Sequence, residues 1–89
     1  MKILLVEDEQ KIADFICEGM RTKNYTITHC VDGNQGYEIA SKNTFDIIIL
    51  DIMLPGRDGL DILRSIRQMG IDTPVILLTA RNELGDRVQ

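Results

Sequence analysis

The 89-residue sequence has little of several features that would assign a protein class directly. It has two cysteines, Cys17 and Cys30, whose spacing matches no zinc or redox motif, so we expect two reduced, half-buried thiols. No apolar run approaches the ~20 residues that a membrane-spanning helix needs. The N-terminal stretch, one lysine and then a strand-like run, is too short for a signal peptide. The expected location is therefore the cytoplasm.

An excess of positive charge is also absent. The formal net charge is −4, so we do not expect this chain to bind nucleic acid by bulk electrostatics. Neither G-x-x-x-x-G-K-[ST] nor G-x-G-x-x-G occurs, which disfavours a nucleotide-binding fold. The hydrophobic share of 44% and the charged share of 27% are typical of a folded protein. The length suits one small domain over residues 1–89.

Strand-like and helix-like segments alternate along the chain. Short apolar or alternating runs predict strands, and apolar residues three and four apart predict helices. The predicted strands are 2–6, 25–31, 45–50 and 75–79, and the predicted helices are 10–23, 35–42 and 58–69. This β-α-β-α-β-α-β order predicts an α/β fold, a doubly wound parallel sheet with helices on both faces.

Some residues receive ordinary structural interpretations. The first helix is expected to bury one stripe, formed by Ile12, Phe15, Ile16, Gly19 and Met20. Asp8 or Glu9 is expected to cap this helix. His29 lies in a polar edge strand and is interpreted as a surface histidine.

Polar residues follow three of the apolar runs. Glu7 and Asp8 follow the first, Asp51 follows the third, and Thr79 ends the fourth. In open parallel sheets, ligands bind beyond the carboxyl ends of the strands, where these side chains would converge. Carboxylates that repel one another need a reason to be together, and a hard cation such as Mg²⁺ is the obvious one. The alternative is that the acids merely cap a helix and end a strand, and that Thr79 serves β-propensity.

Asp51 has a second possible role. A carboxylate can attack phosphorus as a nucleophile and form an aspartyl phosphate. Thr79 is then placed to hydrogen-bond a phosphoryl oxygen.

These residues resemble the receiver domain of bacterial two-component response regulators. The stretches that carry the resemblance are LVEDE at 5–9, DIMLPGRDG at 51–59 and PVILLTAR at 74–81. These stretches are similar to the corresponding stretches in receivers of the winged-helix transcription-factor subfamily. The resemblance implies a flavodoxin-like fold with strand order 2-1-3-4, continued in the family by a fifth strand and helix.

The resemblance also implies roles for particular residues. Asp51 would be the phosphoacceptor, which receives phosphoryl from a partner histidine kinase. Asp8 and Asp51 would coordinate Mg²⁺, Glu7 would act through water, and Met53 would supply a backbone carbonyl. Thr79 would be the switch residue that moves towards the phosphoryl group. The helix at 10–23 would form part of the kinase-docking surface.

One departure from the family pattern is large. The fifth strand and helix are missing from this sequence, and no lysine follows Lys42, so the family's phosphoryl-pairing lysine has no counterpart. We therefore expect a receiver that is incomplete at its C-terminal side and has no effector domain. Its last strand, at 75–79, would be an exposed apolar edge, which favours a homodimer through edge pairing or exchange of an element.

Two other readings remain open. A phosphohydrolase of the haloacid-dehalogenase type also uses an aspartyl phosphate, but it places a second acid two residues after the nucleophile. Met53 occupies that position here, so we expect no enzyme activity. The alternative function is a folded, signalling-incompetent truncated fragment that self-associates.

Overall fold

The computed structural model describes residues 1–78 and contains four strands and three helices in that range. In chain order they are β1 (Lys2–Val6), α1 (Gln10–Arg21), β2 (Thr26–Cys30), α2 (Gly33–Lys42), β3 (Ile47–Asp51), α3 (Gly59–Gln68) and β4 (Val75–Leu78). The predicted alternation is confirmed for these residues. Thr79 and the segment at 81–89 lie outside the described residues.

The four strands form one parallel sheet in the order β2-β1-β3-β4. Leu5 of β1 pairs with His29 of β2 on one side and with Ile49 of β3 on the other. The predicted strand order is therefore confirmed. Because the strands run parallel, the residues that follow β1 and β3 meet at the same edge of the sheet.

An apolar core covers each face of the sheet. One core joins alternate residues of β1 and β3 to α2 and α3, and its buried members include Leu4, Val6, Ile48, Leu50, Ala40, Ile62 and Ile66. The other core joins the intervening residues to α1, through Ile3, Leu5, Ile49 and Ala13. Helices thus lie on both faces, which confirms the doubly wound architecture. In the part of the chain that the structure describes, no helix is long and apolar enough to span a bilayer.

The buried stripe of α1 differs from the predicted one. Phe15 is 80% exposed, whereas Ala13 is completely buried. The helix packs through Ala13, Ile16, Cys17 and Met20, which again follow the i, i+3, i+4, i+7 pattern. Phe15 lies two residues after Ala13, about 200° around a helix of 3.6 residues per turn, so burial of Ala13 directs Phe15 towards solvent.

The α2 helix begins at Gly33, two residues before the predicted residue 35, because Asp32 caps it. The Asp32 carboxylate accepts hydrogen bonds from the backbone N–H groups of Asn34 and Gln35, at 2.7 and 3.2 Å. Asp32 is therefore the N-cap, and Gly33 and Asn34 belong to the first helical turn. The Gly33 N–H donates to the Pro55 carbonyl at 2.9 Å, which ties this turn to the loop that follows β3.

Candidate functional site

Three carboxylates meet where β1 and β3 end. Oxygen atoms of Glu7, Asp8 and Asp51 all lie within 4.8 Å of one another. Glu7 and Asp51 are only 1% and 3% exposed, whereas Asp8 is exposed. The pairing of Val6 with Leu50 accounts for two of these positions, because it places Glu7, which follows β1, beside Asp51 at the end of β3. The structure thus brings together three of the residues that the sequence analysis assigned to one cluster.

Backbone groups fix the two buried carboxylates. Glu7 Oε2 accepts the Glu9 N–H at 2.9 Å, and Asp51 Oδ1 accepts the Met53 N–H at 3.3 Å. Glu9 occupies the N-cap position of α1, but its side chain makes no capping hydrogen bond. Of the two predicted caps, Asp8 or Glu9, Glu9 is at the N-cap position without a capping bond, and it is the Glu7 carboxylate that bonds the Glu9 N–H.

The pKa values of the buried carboxyls are raised. Burial raises the pKa of Glu7 to about 7; the Glu9 N–H opposes this rise and the charge of Asp51 adds to it. Burial also raises the pKa of Asp51, a rise that hydrogen bonds from Glu7 and the Met53 N–H oppose and the charge of Asp8 reinforces. With a pKa of about 7, Glu7 is partly protonated near neutral pH unless a positive charge lies beside it.

The donor set fits a small, hard divalent cation. Mg²⁺ prefers oxygen ligands and uses one or two carboxylates together with water and ligand oxygens. Here, one exposed carboxylate and two buried ones point into the same space, and the buried ones are costly to keep ionised without a cation. Met53 lies directly beside the cluster through its N–H bond to Asp51. Its carbonyl as a metal ligand stays a prediction, and Thr79 lies outside the described residues.

The loop after Asp51 packs tightly against the site. Gly59 lies so close to the Asp51 carbonyl that a Cβ there would come within 2.3 Å of its oxygen. Gly56 adopts φ +84°, a conformation that suits glycine. At Gly59 the backbone of β3, and at Gly56 the side chains of Asp32 and Asn34, leave no room for a Cβ.

Arg57 belongs to this loop, and its side chain bonds to α3 and stacks on a ring of α2. Its guanidinium donates to Asp61 Oδ2 at 2.6 Å and to Ser65 Oγ at 2.7 Å, and it lies 4.0 Å from the centre of the Tyr37 ring. Arg57 thus connects the loop to α2 and α3.

Sequence reasoning missed the role of His29. His29 was expected at the surface of an edge strand, and β2 is indeed an outer strand, but the side chain is half-buried and its Nε2 lies 2.9 Å from the Glu7 carbonyl oxygen. The sequence could have predicted that His29 lies near Glu7, because the parallel register places the end of β2 beside the end of β1.

A groove adjoins the acidic cluster on the side of α3. It has a volume of about 590 Å³. Its lining is mostly apolar and comprises Asp8, Ile52, Met53, Leu54, Pro55, Asp58 and Leu60.

Comparison with known proteins assigns this fold and site to a family. The model of the response regulator receiver domain matches residues 3–89. The chain belongs to the response regulator receiver family, as its motifs predicted.

The curated relatives that match this chain include transcriptional regulatory proteins. It is 41% identical over 88 residues to the transcriptional regulatory protein DltR of Streptococcus agalactiae serotype III, covering 99% of this chain and 39% of DltR. It is 46% identical over 89 residues to the transcriptional regulatory protein HprR of Escherichia coli K12, covering 100% of this chain and 40% of HprR. The assignment to the transcription-factor subfamily is thereby confirmed. The chain spans about two fifths of the length of these relatives.

Solved structures agree with this assignment. The receiver domain of the Francisella response regulator 1452 superimposes with a TM-score of 0.86 at 32% identity, over 98% of this chain and 72% of that one. The receiver domain of the sensor histidine kinase PA1611 from Pseudomonas aeruginosa PAO1 gives a TM-score of 0.85 at 38% identity, over 97% of this chain and 72% of that one. The latter structure has magnesium coordinated in its active-site cleft.

Proposed function

We propose that this chain is a phosphoaccepting signalling module that receives a phosphoryl group on Asp51 from a partner histidine kinase. The signal would regulate transcription through an output domain, as the names of the relatives suggest. The observation that carries the proposal is the placement of Asp51, buried at the end of β3 and beside Glu7 and Asp8. A location in the cytoplasm is part of this proposal.

The transfer needs an ionised Asp51. One Oδ atom forms a bond to phosphorus while the bond from phosphorus to the donor's imidazole nitrogen breaks, and the imidazole leaves with that electron pair and takes up a proton. Glu7, Asp8 and Asp51 would hold Mg²⁺ together with the Met53 carbonyl. Bound there, the ion neutralises charge on the phosphoryl oxygens and favours the ionised form of Asp51. Thr79 would act as the switch residue.

The surroundings of the site suit a protein donor. Met53 and Leu60, which line the groove beside Asp8, are 56% and 44% exposed. Exposed apolar side chains of this size next to a polar site are typical of a protein-binding surface. The kinase would contact this groove and α1, and the chain itself would act as acceptor rather than as an enzyme.

Phosphoramidate tests the proposal, because its phosphorus–nitrogen bond is of the same kind as that of phosphohistidine. With millimolar Mg²⁺, we expect intact mass spectrometry to show one phosphoryl group on the chain. Asp51→Asn should lose the adduct completely. Asp72→Asn is the matched control, since Asp72 is exposed and precedes β4, at the opposite edge of the sheet.

Two results would count against the proposal. An adduct that persists in Asp51→Asn would place the reaction at another residue. A chain that binds Mg²⁺ but never takes up phosphoryl would favour the alternative, a folded fragment without signalling competence.

A further inference from the structure

His29 lies at the border of the acidic cluster and is the penultimate residue of β2. Its ring Nε2 is 2.9 Å from the backbone carbonyl oxygen of Glu7. A carbonyl oxygen can only accept a hydrogen bond, so Nε2 carries the hydrogen and donates it. The side chain is half-buried, which makes this bond less accessible to competing water.

This hydrogen bond completes the anchoring of one turn. The Glu7 N–H donates to the Cys30 carbonyl at 3.0 Å, and the Glu7 carboxylate accepts the Glu9 N–H at 2.9 Å. With its carbonyl bonded to His29, Glu7 is held through its N–H, its side chain and its C=O. A peptide group is planar, so fixing the Glu7 carbonyl also fixes the direction in which the chain enters Asp8.

Asp8 is the member of the cluster that depends most on this support. Glu7 and Asp51 are enclosed by packing, at 1% and 3% exposure, whereas Asp8 is exposed. Packing therefore does little to fix the Asp8 carboxylate, and its position follows from the backbone that precedes it.

We propose that His29 is a positioning residue for the divalent-cation site. By donating to the Glu7 carbonyl, it orients the peptide between Glu7 and Asp8 so that the Asp8 carboxylate completes the cluster. The inference rests on the proposed function, because it takes the three carboxylates to be a Mg²⁺ site. It assigns to a residue of β2 a part in a site whose ligands come from the ends of β1 and β3.

A matched pair of variants separates the hydrogen bond from the mere presence of a polar side chain. His29→Gln retains an N–H donor near the position of Nε2, whereas the shorter amide of His29→Asn does not reach the Glu7 carbonyl. Mg²⁺ binding would be measured by isothermal titration calorimetry on this chain at one fixed pH. We expect His29→Gln to keep the original Kd and His29→Asn to raise it about tenfold, the lower end of the effect of outer-shell partners.

A spectroscopic signature checks the same bond without metal. The carbonyl carbon of Glu7 should shift upfield in His29→Asn and keep its chemical shift in His29→Gln, because loss of a donor changes the shielding of a carbonyl. His29→Leu is a second variant without a donor, with the same expected results as His29→Asn, and it replaces that variant if His29→Asn fails to fold. Thr28→Val, at the preceding position of β2, serves as the control and should leave Kd unchanged.

The possible results distinguish this inference from the proposed function. If the original chain binds Mg²⁺ and the donorless variants change Kd by less than about threefold, well below the expected outer-shell effect, the positioning role is overturned alone. Equal weakening by Gln and Asn would overturn it too, since the donor would then not matter. If the original chain binds no Mg²⁺ at millimolar concentration, the proposed cation site fails first, and this inference fails with it.

Discussion

Two carboxylates, Glu7 after β1 and Asp51 at the end of β3, are buried, and this burial lowers the stability of the fold when they are ionised. Among residues 1–78, Glu7 and Asp51 are the buried charged side chains, and they lie next to each other. Buried carboxylates are normally paired with a positive group, because desolvation of a charge is expensive. A cation bound between these carboxylates would offset part of that expense.

The pKa of Glu7 makes the stability of the metal-free chain depend on pH. The pKa is about 7 in the folded chain and has its ordinary value of 4.5 when the chain is unfolded, so the folded state binds more protons between these values. We therefore expect the free energy of unfolding to be highest below about pH 4.5 and to fall, by about 3 kcal/mol, as the pH rises from there through about 7. Urea denaturation followed by circular dichroism, with a chelator present, measures this.

Glu7→Gln is the control for this prediction, because it keeps the shape of the side chain and removes its titration. Its stability should vary much less over the same pH range, with a remainder from Asp51, whose raised pKa acts in the same direction. Millimolar Mg²⁺ should stabilise the original chain most at high pH, where the carboxylates are ionised. A metal-free stability that rises from acid to neutral pH would contradict the assignment.

Contacts between elements decide where the loop after β3 lies. Gly33, at the start of α2, is so close to Arg57 that a Cβ would lie 1.8 Å from its carbonyl oxygen. Arg57 in turn contacts Tyr37 of α2 and Asp61 of α3. The loop that carries Met53 is thus located by two helices as well as by its own turn.

Gly33→Ala tests this close contact, and Gly19→Ala is the comparison at an open position. The two substitutions should change the free energy of unfolding in opposite directions. Gly33→Ala should lower the free energy of unfolding by about 1–3 kcal/mol, because backbone atoms must move to admit the methyl group. Gly19→Ala should raise it by about 0.5–1 kcal/mol, because Gly19 lies in α1 with nothing within 4 Å of its added Cβ, and alanine favours a helix. Urea midpoints measure both; an unchanged or stabilised Gly33→Ala would contradict the close contact.

The sequence predicted the elements better than their faces and contacts. Continuous apolar runs predicted the bounds of β1 and β3 to within two residues, because such runs are typical of parallel strands that are buried on both faces. The convergence of Glu7, Asp8 and Asp51 followed from parallel topology alone. The exposure of Phe15 and the bond of His29 did not follow, because both depend on side-chain packing against a neighbouring element.

At the scale of the whole molecule, β4 is the outer strand on one side of the sheet formed by residues 1–78. Ile76 and Leu77 within it are 50% and 36% exposed. An apolar outer strand presents unpaired backbone groups to a second chain. This agrees with the expectation that the 89-residue chain self-associates, which stays a prediction.

Sedimentation velocity at tens of micromolar tests that expectation. We expect the original chain to sediment faster than a monomer and Ile76→Lys to return it to the monomer, because a charge on an outer strand opposes pairing. Val31→Lys is the matched control, since Val31 is 47% exposed and follows β2 on the opposite side of the sheet. A monomeric original chain would refute edge pairing.

The pairing of β1 with β3 also sets the order in which this chain can acquire its chemistry. Ile3 pairs with Ile47 and Val6 with Leu50, so the central ladder joins residues 44 positions apart. Contacts so distant in sequence form slowly, because the intervening loop must close first. During synthesis, Glu7 and Asp8 leave the ribosome well before their partner, and the cluster stays unassembled until Asp51 has emerged. The three carboxylates can therefore meet only after β3 has emerged, whereas α3 and β4 follow it.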